Sequence, residues 1–276
     1  MVDIHAHLAA EDFNHDLEDV LARAASANIS TIVVVPEFLS EFDKVLELSE
    51  RHRDLVAPCL GLHPVQSDAS TRNERSVTTE EVLPVLDFIR REHSKIVGIG
   101  EVGLDFTPRF VKSDDDKAAQ RYVLTEQAKL AMDLGLPLNV HSRSAGRPTL
   151  QLLKSLGVRN AVMHAFDGKA SVAMEGVHVG YFFSIPPSVV RSEQKQKLVR
   201  QVPLDHLLLE TDSPALGPIK QTRNEPCNLE ISCREVARIK QVSFDEVWKM
   251  TTQNAVRLFP KLGHVGRQLV PVPNAK

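Results

Sequence analysis

Val2-Asp3-Ile4-His5-Ala6-His7-Leu8 is an apolar segment broken at alternate positions by a carboxylate and two imidazoles. Read as a β-strand, it puts Asp3, His5 and His7 on one side and Val2, Ile4 and Ala6 on the other, because successive side chains alternate faces. Burying two imidazoles and a carboxylate on one face of such a strand is costly unless they bind something, and a divalent cation suits that donor set. The same residues decide between two architectures. A strand opening a dinucleotide-binding sheet is followed by a Gly-x-Gly-x-x-Gly turn. Here His5-Ala6-His7-Leu8 takes that place, with no glycine. A His-x-His pair also occurs on surfaces without consequence, so its weight comes from the rest of the chain.

Outward from this segment, short apolar runs alternate with helical stretches. Strands are expected at 2–6, 31–35, 55–62, 95–100, 137–140, 160–163, 178–184 and 206–209. Helices are expected near 14–27, 40–52, 79–92, 116–134, 145–156, 168–176, 192–201, 229–241 and 243–258. The 116–134 stretch keeps Val123, Leu124, Ala128, Ala131 and Met132 at helical spacing and stops at Gly135 before Pro137. Thr78 and Thr79 ahead of Glu80 and Glu81 read as a helix start. Strands that are apolar throughout and alternate with helices imply a parallel sheet covered on both sides. Eight such units predict an α/β fold, a closed (β/α)8 TIM-like barrel; an open doubly wound sheet is the alternative.

The 276 residues form a plausible length for one barrel of about 250 residues, so a single domain over 1–276 is expected. Lys and Arg total 33 against 36 for Asp and Glu, a net charge of −3 that argues against a nucleic-acid coat protein but not against a local basic patch. Three cysteines without Cys-x-x-Cys spacing read as reduced thiols. No apolar run reaches membrane-spanning length, and Met1-Val2-Asp3 lacks the basic and apolar regions of a signal peptide. A cytoplasmic or nuclear protein is therefore expected, with no membrane association and no obligate protein partner. A first strand that begins at Met1 is expected to fray in its pairing.

The chemically active residues fall where the expected strands end. The first ends in His5 and His7, the third in His63-Pro64, the fourth in Glu101, the fifth in His141-Ser142-Arg143, the sixth in His164 and the eighth in Glu210-Thr211-Asp212-Ser213-Pro214. In a parallel barrel these ends converge on one rim, where barrel active sites are built. His5, His7, Glu101, His141, His164 and Asp212 are too many ligands for one tetrahedral ion and enough for two. Glu101, across the barrel from the first and eighth strands, is placed to bridge. One ion would take His5, His7, Glu101 and Asp212, the other Glu101, His141 and His164, about 3.5–4 Å apart and with positions left for water and substrate.

These motifs carry a resemblance. Asp3-x-His5-x-His7, Gly61-x-His63-Pro64, Gly100-Glu101-x-Gly103-Leu104-Asp105, His141-Ser142-Arg143, His164-Ala165-Phe166-x-Gly168, Glu210-Thr211-Asp212-Ser213-Pro214 and Arg223-Asn224-Glu225-Pro226 run in order from residue 3 to about 259. The set is similar to the TatD family of metal-dependent deoxyribonucleases among the amidohydrolase-like barrels, and within it to the third animal paralogue. Many amidohydrolase-like enzymes bridge their metals with a carboxylated lysine, where this chain offers Glu101. The resemblance implies a two-metal phosphodiesterase acting on DNA ends, a 3′-5′ exonuclease with single-stranded termini as substrate and two divalent cations (Zn, Mg or Mn) as cofactors. Asp212 would bind metal and accept the proton of the attacking water; Arg143, His63 and, more weakly, Arg223 or Arg147 would hold phosphate oxygens.

Several residues stay open or receive no role. His63 reads equally as a phosphate contact or as a group that orients a ligand, and Asp3, Asp105 and Glu210 read as ligand-orienting or interior polar groups. Arg191, Lys195, Lys197 and Arg200 read as a solvated helix face rather than a basic lip. His15, His52, His93, His178, His206 and His264 lie away from strand ends, while Cys227 and Trp248 read as packing residues. Two rival functions remain: a small-molecule amidohydrolase such as a lactonase, which would not need the arginines, and a non-catalytic metal-bound binding protein.

Overall fold

A computed structural model describes residues 1–67 and 73–264 of the chain. Its strands are β1 (Val2–Ala6), β2 (Thr31–Val34), β3 (Val56–Leu60), β4 (Val65–Ser67), β5 (Glu74–Ser76), β6 (Gly98–Gly103), β7 (Leu138–His141), β8 (Ala161–Met163), β9 (Phe182–Ile185) and β10 (Leu207–Leu209). Its helices are α1 (Leu17–Ser26), α2 (Phe42–Arg51), α3 (Val82–Glu92), α4 (Asp114–Leu134), α5 (Gly146–Ser155), α6 (Ala170–Val177), α7 (Glu193–Gln201), α8 (Leu229–Lys240) and α9 (Phe244–Leu258). Eight strands pair in parallel in the order β1-β2-β3-β6-β7-β8-β9-β10, so neighbours in sequence are neighbours in the sheet. The expected strands and helices are all present, with ends that shift by a few residues. The β4–β5 hairpin was not expected; three-residue strands are too short to show a period.

Past the end of β10 the sheet closes on β1. Asp212 N donates to His5 O at 2.9 Å and His7 N to Ser213 O at 2.8 Å. The Asp3 carboxylate staples this seam, taking Thr211 N at 2.9 Å on Oδ1 and the Thr211 hydroxyl at 2.5 Å on Oδ2. The expected fraying of β1 does not occur: Val2 pairs with Thr31, and Ser30 N donates to Met1 O at 2.8 Å.

Two apolar clusters show which way each strand residue faces. One joins the strands to α1–α9; the other holds Val2, Ile4, Val33, Val35, Ala57, Cys59, Val97, Val162, Phe182 and Leu208 with Ala255, Leu258, Phe259 and Leu262, and so fills the barrel beneath the rim. Val2 and Ile4 belong to the inner cluster but Ala6 and Leu8 to the outer one, and the β1–β2 register shifts between Asp3 and Ala6. The strand changes face there. Simple alternation, which placed Asp3 on the face of His5, is therefore broken: Asp3 serves the seam, and His5 and His7 follow the shift. β6 repeats the device. Ile99 and Val102 both face the outer layer although three apart, with a register shift between them that turns Glu101 inward. Such irregularities re-aim a side chain where regular pleating would point it elsewhere.

Among the described residues no helix is long and apolar enough to cross a membrane.

Candidate metal centre

The rim gathers the strand-end residues into one buried cluster. His5, His7, Glu101, His141, His164 and Asp212 are each less than a tenth exposed. Two of the turns that present them hold left-handed backbone, with φ of 54° at Asp212 and 42° at Ala165, the residue after His164. Non-glycine residues adopt such values at a cost, and they concentrate at functional sites. Gly103 has a simpler reason: a Cβ there would stand 2.0 Å from the His141 carbonyl oxygen, so only glycine lets β6 and β7 approach.

One group of donors has the dimensions of a cation cage. His5 Nε2 and His7 Nε2 lie 3.2 Å apart. Glu101 Oε2 is 3.5 and 3.4 Å from them, and Asp212 Oδ1 3.6 and 3.4 Å. Four ligands held tetrahedrally at the usual zinc distances are separated by about 3.3–3.4 Å. The four donor atoms therefore have the spacing that a tetrahedral cation requires.

The second group uses the other oxygen of the same carboxylate. Glu101 Oε1 is 2.8 Å from His141 Nδ1 and 2.8 Å from His164 Nε2, and those nitrogens are 3.3 Å apart. The two groups grade into each other. His5 is also within reach of the Glu101–His164 pair, and His63 joins Glu101 and His141 as a third possible ligand set, which widens the expected list. His63 Nδ1 lies 3.0 Å from Val65 O; donation there places the ring proton on Nδ1 and leaves the Nε2 lone pair facing the cluster, 3.7 Å from Glu101 Oε1.

Outer contacts orient the imidazoles. The Asn139 amide donates from Nδ2 to Ile4 O at 2.8 Å, which turns its Oδ1 to His5 Nδ1 at 2.9 Å. That acceptor holds the His5 proton on Nδ1 and leaves the Nε2 lone pair facing the cage. His141 Nε2 is 3.1 Å from Asp105 Oδ2, which frees Nδ1 in the same way. His164 Nδ1 is 3.6 Å from Glu210 Oε2, and Ser184 donates to that oxygen at 2.6 Å. Asn139 was missed in the sequence; a lone asparagine inside an apolar strand, two residues before His141, was the available signal.

Burial opposes charge throughout, and the partners overcome it. Despite burial, contact with Asp212 and the field of Glu101 raise His7 to about 9. His141 and His164 are likewise raised against burial, through Asp105 and Glu101 and through Glu101 and Glu210 respectively. The histidines in turn hold Glu101 well below the usual carboxylate range, and Asp105 and Asp212 at about 2. Burial pushes Asp3 up to about 8, and it lowers His63, which stays neutral. Carboxylates that remain ionised beside imidazoles holding protons form a site in which cations can replace protons.

The basic residues divide. Arg143 stands at the rim, half exposed, with Nη1 3.9 Å from Asp105 Oδ2. Arg223 is not brought to the cluster. Its guanidinium donates to both Asp16 oxygens at 2.8 and 2.6 Å, to Asp12 O at 2.8 Å and to Glu225 Oε1 at 2.8 Å, and it lies over Phe13, tying the segment before α1 to the loop that follows β10. Arg147 pairs with Glu175 on the outside. Lys197 is exposed and pairs with Glu193, as a solvated face requires. Lys195 breaks that reading, being only 8% exposed.

Fold and rim together define a metal-dependent hydrolase built on a TIM-like barrel. Comparison with known proteins narrows this: the chain belongs to the family described as TatD related DNase, matched over residues 2–260. It is 54% identical over 265 residues to the Homo sapiens protein named deoxyribonuclease TATDN3, covering 96% of each chain. It is 33% identical over 274 residues to the 3′-5′ ssDNA/RNA exonuclease TatD of Cronobacter sakazakii, covering 95% of this chain and 98% of that one. The crystal structure of the Escherichia coli TatD homologue YjjV superposes with a TM-score of 0.82 at 27% identity, over 94% of this chain and 98% of that one.

Proposed function

We propose that this chain is a two-metal phosphodiesterase that trims DNA from a free single-stranded end in the 3′-5′ direction, with one barrel over 1–276 carrying the activity in the cytoplasm or nucleus. The observation that carries this reading is the division of Glu101: Oε2 serves the His5, His7 and Asp212 group, Oε1 the His141 and His164 group. The nuclease names of the two relatives above support the substrate class.

Two divalent ions held there (Zn, Mn or Mg) would stabilise the charge that develops on phosphorus and acidify a water. The side chains do the rest. Asp212, ionised down to about pH 2, accepts the water's proton. His63, buried beside Glu101, stands where a phosphate oxygen would approach, and Arg143 presents its guanidinium from the rim. A frayed single strand reaches a centre recessed in a barrel mouth more easily than the middle of a long duplex. With a net charge of −3 there are few phosphate contacts, about two to four, giving a log–log salt slope of roughly −0.7 per contact.

The test compares end-labelled linear single-stranded DNA with a covalently closed circle of the same sequence, using metal-stripped protein restored with one metal at a time. Shortening of the linear strand from its 3′ end, with the circle untouched, is expected. Equal cleavage of the circle would reject end recognition. Turnover of lactones or cyclic amides with none of DNA would replace this reading with the amidohydrolase one.

A further inference from the structure

On α7 the apolar positions that face the barrel are Leu198 and Val199, and Lys195 occupies the same face three and four residues before them. A lysine placed there must bury its ammonium, which is costly unless acceptors surround it. Here one does: Nζ donates to Ala165 O at 2.8 Å. Among the described residues no carboxylate closes an ion pair with it, so two of its three N–H groups lack a protein acceptor.

The location gives this cation a purpose. Ala165 follows His164 directly and has left-handed backbone. Gln194, the preceding residue on α7, donates to the carbonyls of Asp167 and Gly168, so the start of the helix is clamped against the loop that leaves β8. The charges that act on Lys195 are those of Glu210, Asp167, Asp212 and Arg143, from the turns on either side of it. The ammonium therefore lies against the turn that follows His164, within the field of the Asp212 turn and of Arg143. A compact ammonium there suits an oxyanion as a point charge, without the forked geometry an arginine requires.

We propose that Lys195 is a substrate-binding residue whose ammonium takes a non-bridging oxygen of a backbone phosphate in the bound strand. This rests on the phosphodiesterase reading above. The opposing view is that Lys195 only holds the Ala165 carbonyl in its turn.

The experiment is a coupling cycle. Lys195→Met keeps the unbranched length and removes the charge. Wild type and variant, matched for bound metal and thermal midpoint, are assayed on linear single-stranded oligonucleotides carrying one neutral methylphosphonate at successive positions. On the unmodified strand the variant should lose about 10- to 100-fold in kcat/KM, the scale of a hydrogen bond to a charged group. At one position the methylphosphonate should slow the wild type and leave the variant unchanged, so that the two losses do not add. The salt slope of binding should also fall by about 0.7. Equal penalties for both proteins at every position would overturn the proposal and leave Lys195 a turn-holding residue. Should Lys195→Met not fold, the wild-type Lys195 15Nζ resonance, assigned by its loss in Lys195→Arg, should move and its protons exchange more slowly when an uncleavable phosphorothioate strand is added. No response would likewise overturn the proposal. Failure of the wild type to cleave any DNA is a different result and would count against the phosphodiesterase reading itself.

Discussion

Asn139→Leu isolates the control of one imidazole from the imidazole itself. Leucine copies the branched outline of asparagine, so the close packing of Gly100 against this residue is little disturbed. Two hydrogen bonds vanish: the one to Ile4 O at 2.8 Å and the one from His5 Nδ1 at 2.9 Å. Ile4 and His5 are fully buried, so water cannot replace them. Each unpaired group costs ~1–3 kcal/mol, giving a loss of about 2–6 kcal/mol in the metal-free protein. The tautomer of His5 is then no longer held, and removing a contact of this kind typically weakens metal binding 10- to 100-fold. The loss should fall on the group containing His5 and His7 and spare the one containing His141 and His164. Competition titration against a chromophoric chelator should turn from a tight two-ion curve into a biphasic one, with thermal unfolding of the metal-free protein recorded beside it. A folded variant that binds every ion as tightly as wild type would refute the idea that Asn139 sets the His5 tautomer.

Three further expectations follow from the same geometry. Asp212→Asn keeps the shape of the side chain but not its basicity; turnover should fall by at least ~10²-fold while circular dichroism is unchanged, and near-normal turnover with metal bound would reject the assigned role. Gly103→Ala drives a Cβ to 2.0 Å from a backbone oxygen that cannot swing aside, so unfolding in urea should show a loss of at least ~3 kcal/mol; a smaller change would mean that β6 and β7 can separate. His7, raised from 6.5 to about 9, holds its proton at pH 7, so metal loading should release at least one proton, measured by calorimetry in two buffers of different ionisation enthalpy. The sign for stability follows: the His7 contribution to the metal-free fold is complete below pH 6.5 and is lost as the pH rises through about 9, whereas that of Asp105 and Asp212 is present above pH 3.8 and is lost as the pH falls through about 2.

The strands were legible because most are short, mainly apolar runs between helical stretches, and the rim residues because they lie at or just past the ends of those runs. What escaped has identifiable causes. Alternation assigned Asp3 and His5 to one face, but the register shift in β1 is a backbone irregularity that no side-chain pattern announces. Arg223 looked available because its partner Asp16 lies 207 residues away in sequence. Lys195 sits among Arg191, Lys197 and Arg200, so a charge run concealed a residue on the apolar face; spacing to Leu198 and Val199 was the clue that charge counting discarded. Asn139 carried no charge and no motif, and its importance comes only from what folding places on either side of its amide.

The central claim is that Glu101 joins two cation sites, one oxygen to each. An anomalous-difference map from crystals of the manganese-loaded protein tests it directly. Two peaks about 3.5–4 Å apart are expected, one among His5, His7 and Asp212 and the other beside His141 and His164, with the Glu101 carboxylate between them. A single peak at saturating metal, or two peaks with Glu101 outside coordination distance of either, would contradict it.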